Sequence, residues 1–203
     1  MPDSIPVITV DGPSGSGKGV VATHLAEQYS FRLLDSGALY RLVGVAAREA
    51  GFNLDGELFD EIALSEFSRQ LDVSFSPTGD LENPLVVRLS GEDVTRRVRS
   101  DKAAADASVV AAIQGVRDGL MTLQNSFRRE PGLVADGRDM GTAIIQDAIV
   151  KIFLTASAET RAERRYNQLK DKDIGVSLHD LFPVSYTHLR AHETLRYLVC
   201  RRL

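Results

Sequence analysis

Short apolar runs alternate along this chain with longer amphipathic stretches, a pattern that predicts βα units around a mostly parallel sheet and so an α/β fold. Pro6 to Val10 is rich in β-branched residues and ends in a glycine cluster; Val20, Val21, Leu25 and Ala26 then recur at helical spacing to about Tyr29. Phe31 to Leu34 predicts a second strand. Gly37 to Ala50 carries Leu39, Leu42, Val43 and Ala46 on one face and stops at Gly51, and residues 57–70 repeat the helical period. From Leu71 the period changes to alternation: Leu71, Val73 and Phe75, a turn-rich Pro77 to Pro84, then Leu85 to Leu89, which together predict a small antiparallel insert. Helices resume near Asp101 and run, with a break around Gln114 and Gly115, to Arg129. Leu133 to Ala135 leads into Asp136-Gly137-Arg138-Asp139-Met140-Gly141. Ala148 to Leu154 reads as a buried strand, and Ala158 to about Lys170 as a helix. There is no internal repeat and no low-complexity segment.

Composition narrows the class. In 203 residues, 43% are hydrophobic, enough for a real core, and 24 basic against 28 acidic residues give net −4, without the basic excess typical of proteins that bind nucleic acid or anionic membranes. The single Cys cannot close an intramolecular disulfide, no apolar run approaches a bilayer span, and the first residues lack a secretory signal pattern. The expectation is a cytoplasmic, soluble protein. One asymmetry stands out. The last twenty residues hold Arg190, Arg196, Arg201 and Arg202 against Glu193, so the first 183 carry net −7.

The glycine cluster carries chemistry. Gly12, Pro13, Ser14, Gly15, Ser16, Gly17, Lys18, Gly19 and Val20 contain the first part of the phosphate-loop pattern, Gly, four residues, Gly-Lys, between a predicted strand and a predicted helix. Such a loop turns backbone N–H groups inward at a helix N-terminus, and its lysine reaches the outer phosphates. The hydroxyl residue that usually follows the lysine is absent: Gly19 and Val20 stand there, leaving Ser14, Ser16 or water to help hold Mg²⁺. Neither DxxG nor NKxD occurs, which disfavours a GTPase switch. The spacing of Gly15, Gly17 and Gly19 also fails the dinucleotide pattern.

DGPSGSGKG at 11–19, LLDSGALYR at 33–41 and PGLVADGRDMGT at 131–142 together resemble the bacterial cytidylate kinases over about residues 5–182. The resemblance implies the nucleoside monophosphate kinase variant of the phosphate-loop fold: a core of residues 1–70 and 101–157, a monophosphate-binding insert at about 71–100, and a partial lid at about 158–183. It implies transfer of a phosphoryl group from ATP to CMP or dCMP with Mg²⁺, with Lys18, Arg138 and Arg164 as catalytic cations and Arg161 and Arg165 beside ATP. Arg41, Arg138 and Ser36 would take the CMP phosphate, Asp139 the cytosine amino group, and Arg117 and Ser108 the remaining base edge; Asp136 would orient hydrated Mg²⁺. Local alternatives stand beside these roles. Ser36 at a helix start is equally an N-cap, Asp35 reads more readily as a helix cap than as a metal ligand, and Asp139 could pair with Arg138. Arg161, Arg164 and Arg165 could form a charged face with Glu159 and Glu163.

The resemblance stops at Phe182. Where the family continues through a second lid helix with an RDxxDxxR element, a last strand and a helix, residues 184–203 read as translated adapter or vector sequence, although Leu189, His192, Leu195, Leu198 and Val199 could form one helical stripe. His188, His192 and Cys200 fit no usual zinc spacing. The expectation is a kinase impaired by truncation. A kinase for another acceptor such as UMP, or a nucleotide-binding module without catalysis, are the competing readings.

Overall fold

The first strand, β1 (Val7–Asp11), is buried along its whole length because it lies inside a parallel sheet covered by helices, which is why its sequence is a run of Val, Ile and Thr rather than an alternation. The computed structural model describes residues 5–55, 60–78 and 85–170. After β1 come α1 (Lys18–Tyr29), β2 (Arg32–Asp35), α2 (Ser36–Glu49) and α3 (Glu61–Arg69). Next are β3 (Val73–Pro77), β4 (Leu85–Leu89), β5 (Glu92–Asp93) and a one-turn helix α4 (Thr95–Val98). The chain continues through α5 (Asp101–Ala112), α6 (Gln114–Ser126), β6 (Leu133–Gly137), a π-turn (Met140–Ile144), β7 (Val150–Phe153) and α7 (Ala158–Lys170). No described helix is long and apolar enough to cross a membrane.

Two sheets result. The main sheet is parallel, in the order β2-β6-β1-β7, and the small one antiparallel, β3-β4-β5. In the main sheet Val10 lies opposite Asp136 and Asp35 also lies opposite Asp136, so the acidic residues that end β1, β2 and β6 gather at one edge of the sheet. Ligands of open α/β sheets bind at that carboxyl edge. Leu33, Leu34, Leu39, Leu42, Val43, Leu64, Leu120 and Leu133 form the core between sheet and helices.

Most predicted elements are present, with three differences. The helix expected over 57–70 spans Glu61–Arg69, started by the Asp60 carboxylate, which accepts the Ala63 N–H at 2.9 Å; residues 56–59 lie outside the described set. The segment 148–154 is not a buried strand. Ala148 closes a turn on Ile145, and β7 is an outer strand of the described sheet with Ile149 56% and Phe153 40% exposed, because β1 flanks it on one side only. Third, β5, α4 and the π-turn had no counterpart in the sequence pattern. The expected lid beyond Lys170 and the segment 184–203 lie outside the described residues.

Candidate nucleotide site

The turn from β1 into α1 needs a residue without a side chain. At Gly12 the backbone has φ +154°, and a Cβ would fall 2.0 Å from the Leu154 carbonyl oxygen, so any other residue would push the loop off β7. The Gly12 N–H donates to the Gly137 carbonyl at 3.3 Å, and the Ser16 N–H to Pro13 at 3.3 Å, which closes the loop before Lys18 opens α1.

Charge is concentrated under that loop. Asp136, at the penultimate position of β6, is 4% exposed, and its Oδ1 lies 3.9 Å from Lys18 Nζ. Burial pushes its carboxyl well above the usual range; repulsion from Asp35 and Asp11 adds to this, and Lys18 opposes it. Asp11 is also raised, chiefly by burial, although the N–H groups of Gly141 and Met140 pull it back. Two oxygens here are buried without a hydrogen-bond partner: Asp136 Oδ1 and Ser16 Oγ. The orphaned Asp136 oxygen beside Lys18 is what a hydrated divalent cation on a phosphate would satisfy, Ser16 offers a second unpartnered oxygen within the loop, and both donors are oxygens, as Mg²⁺ requires. Ser16 is the buried hydroxyl of the loop, whereas Val20 is 44% exposed and Ser14 is exposed.

Next to Asp136 a cavity of about 130 Å³ is lined by Gly19, Asp35, Arg41, Arg99 and Asp136, floored by Leu33 and Ala38 and walled by Leu85 and Val87 of the small sheet. Arg41 therefore faces the phosphate loop across an enclosed space. Asp35 is the N-cap of α2, its carboxylate accepting the Ala38 N–H at 2.9 Å. That leaves Ser36 free of capping duty; it is buried as the first residue of α2.

On the opposite side, α7 lies over the loop. Arg164 donates to the Gly15 carbonyl at 3.0 Å, and Arg161 is 4% exposed with its Cβ 3.3 Å from where a Gly15 Cβ would stand. Arg164 reaches the loop with its guanidinium and Arg161 packs its backbone and Cβ against it, while Glu159 and Glu163 are exposed. The Arg165 side chain lies outside the described set.

The remaining candidates spread around this centre. Asp139 and Arg138 are exposed beyond β6, and the ion pairs among the described residues involve neither. Arg138 lines a shallow depression with Asp11, Lys151 and Phe153 rather than the Arg41 cavity. Arg117, in the first turn of α6, donates to the Ala111 carbonyl at 2.5 Å and to the Gln114 side chain. Ser108, exposed on α5, donates to the Ala104 carbonyl at 3.3 Å. Tyr40 feels the charges of two of these groups. Its hydroxyl is pushed up first by burial and then by the Asp139 carboxylate, with Arg117 pulling the other way, so both act on one phenol.

The sequence reading did not single out Tyr40, Asp11 or Arg99. Tyr40 adjoins Arg41 in its motif, which is the local signal that marks it; Arg99 sits among Arg96 and Arg97, where charge alone does not tell a cavity residue from a surface one.

The family model for cytidylate kinase matches residues 8–184. The chain belongs to the cytidylate kinase family. Among curated relatives, the cytidylate kinase of Pseudomonas savastanoi pv. phaseolicola is 53% identical over 176 residues, covering 87% of this chain and 75% of that protein. The cytidylate kinase of Shewanella sp. strain MR-4 is 47% identical over 181 residues, covering 89% and 76%. A solved structure, TT1252 from Thermus thermophilus, aligns at TM-score 0.44 and 20% identity over 93% of this chain and 81% of that one.

Proposed function

We propose that this chain transfers the γ-phosphoryl group of ATP to CMP or dCMP, giving ADP and CDP or dCDP, as a monomeric cytoplasmic enzyme. The observation that carries this reading is the convergence, in a member of this family, of the Lys18–Asp136 pair with Arg41 in the adjoining cavity and Arg164 bonded to the phosphate loop.

Phosphoryl transfer asks little covalent chemistry of the protein; it asks for two anionic phosphates held in line with their charge neutralised. Residues 12–20 cradle the ATP phosphates with backbone N–H groups, and Lys18 reaches the transferring group. Arg41 and Ser36 grip the acceptor phosphate in the cavity, and Arg138 swings to it from its exposed position when CMP binds; planar guanidinium groups suit that task. Asp139 accepts from the cytosine amino group, while Arg117 and Ser108 donate to the rest of the base edge, a pairing that uracil cannot make with a carboxylate. Arg161, Arg164 and Arg165 stabilise the charge that develops in transfer, and α7 helps exclude water. Asp136 and Ser16 would hold Mg²⁺, which would supply neutralisation of the charge on the ATP phosphates. Residues 71–100 form the insert that walls the acceptor site, and 158–183 part of the lid.

A coupled ADP-release assay with CMP, dCMP, UMP and AMP tests this on two proteins: the chain itself, and a version in which residues 185–203 are replaced by the corresponding C-terminal part of the Pseudomonas savastanoi relative. Both should prefer CMP or dCMP, and the extended version should turn over faster by on the order of 10³-fold or more, the scale of a lost phosphate-binding arginine. A preference for UMP would overturn the base assignments, and ATP binding without turnover of any monophosphate by either protein would leave only a binding module.

A further inference from the structure

We infer that Asp11 is a positioning residue for the acceptor base, clamping the Arg138-Asp139 segment to the strand that enters the phosphate loop. This rests on the reading of Asp139 as the residue that meets cytosine.

Among the described residues Arg138 and Asp139 form no ion pair; the backbone on either side of them is held from one place. Upstream, the Gly137 carbonyl accepts the Gly12 N–H at 3.3 Å. Downstream, the Met140 and Gly141 N–H groups donate to the two oxygens of Asp11 at 2.8 and 2.9 Å. These are the first N–H groups of the π-turn, which no partner within the turn can satisfy, and a local side chain would ordinarily cap them. Here the cap comes from 129 residues away, from the last residue of β1, one position before the glycine that opens the phosphate loop. Asp139 accepts the Ala143 N–H with its carbonyl at 2.8 Å, so its backbone belongs to the same capped turn.

The clamp has no slack. Asp11 is 6% exposed, and Gly141 approaches it so closely that a Cβ would stand 2.5 Å from Thr9 Oγ1 and 3.3 Å from Asp11 Oδ2. Both carboxylate oxygens accept, which an amide cannot reproduce: Asp11→Asn would set an NH₂ group against one of two buried N–H donors. The turn must then shift, and with it the Asp139 side chain. Displacements of about 1 Å at a positioning element cost up to 10²-fold in function.

Calorimetric titration of the chain and of the Asp11→Asn and Gly141→Ala variants with CMP, UMP and ATP tests the clamp. Gly141→Ala forces the same turn off the same carboxylate while keeping the charge. Both variants should lose about tenfold in CMP affinity, and the preference for CMP over UMP should fall by a similar factor, without loss of ATP affinity; tenfold corresponds to about 1.4 kcal/mol, the order of one unsatisfied buried N–H. Circular dichroism establishes that each variant is folded, and Gly141→Ala decides if Asp11→Asn is not. If a folded variant keeps the CMP preference, or loses ATP and CMP affinity equally, Asp11 is a structural carboxylate and the inference fails. If the unsubstituted chain shows no CMP preference, the reading of Asp139 fails, and the inference falls with it.

Discussion

Asp136 illustrates at the scale of one residue how this site is charged at the expense of stability. A carboxylate raised by burial and by Asp35 is a group the folded protein prefers protonated, whereas the unfolded chain ionises it at about pH 4. Its contribution to stability is therefore fully present below about pH 4 and is lost as pH rises through the higher folded value. Asp11 has the same sign. Asp136→Asn should thus raise the melting temperature of the nucleotide-free protein at pH 7.5 by about 2–5 °C, an advantage that shrinks towards pH 5, while abolishing most CMP-dependent ADP release. Differential scanning calorimetry across that range checks it, and a lower melting temperature for the variant at pH 7.5 would mean that the Lys18 attraction outweighs the burial. Gly12, Lys18, Arg41 and Asp136 were legible in the sequence because a phosphate loop and its companion motifs are local patterns with a local physical reason. Asp11 was not, since its role is defined by N–H groups about 130 residues away.

Between elements, the firmest polar joint lies away from the site. Arg48 on α2 forks onto Asp106 of α5 through Nε and Nη2, each at 2.6 Å, and reaches Asp55 with its remaining donors. Asp106 is 3% exposed, so Arg48→Met would strand a buried carboxylate and should cost about 2–3 kcal/mol in urea unfolding. Asp55→Asn, at an exposed partner, should move the midpoint far less. Equal losses from the two would show that the pair acts as a surface bridge. The elements that the sequence made legible are those long enough to show a period: α1, α2, α5, α6, α7 and the β3–β4 hairpin. A two-residue strand and a one-turn helix are too short for any periodicity. The π-turn is set by the Asp11 carboxylate, a tertiary contact with no local signal, and the break between α5 and α6 is legible only to within a residue or two of Ile113.

At the scale of the whole molecule, the alternation of strands and helices announces an α/β fold but not the order β2-β6-β1-β7, which depends on which strands bury best when packed together. The same order explains why the apolar run around Ile149 to Phe153 misled: its composition suits a strand covered on both sides, yet among the described residues β7 has β1 as its only strand neighbour, and Ile149, Val150 and Phe153 remain 37–56% exposed. A strand edge of this kind is unfavourable in water and prone to pair with whatever backbone it meets. About a quarter of the matched Pseudomonas savastanoi cytidylate kinase lies outside the stretch it shares with this chain, and the family resemblance implies a further strand after the lid. Covering three half-exposed apolar side chains is worth about 2 kcal/mol, which in a protein of this size raises the melting temperature by about 4–8 °C. The version extended from residue 185 with the relative's C-terminal part should show that rise and bind less of a dye specific for exposed apolar surface, with its CMP preference unchanged. An extended protein that gains turnover without gaining stability would mean that the added segment completes the phosphate site and leaves β7 uncovered.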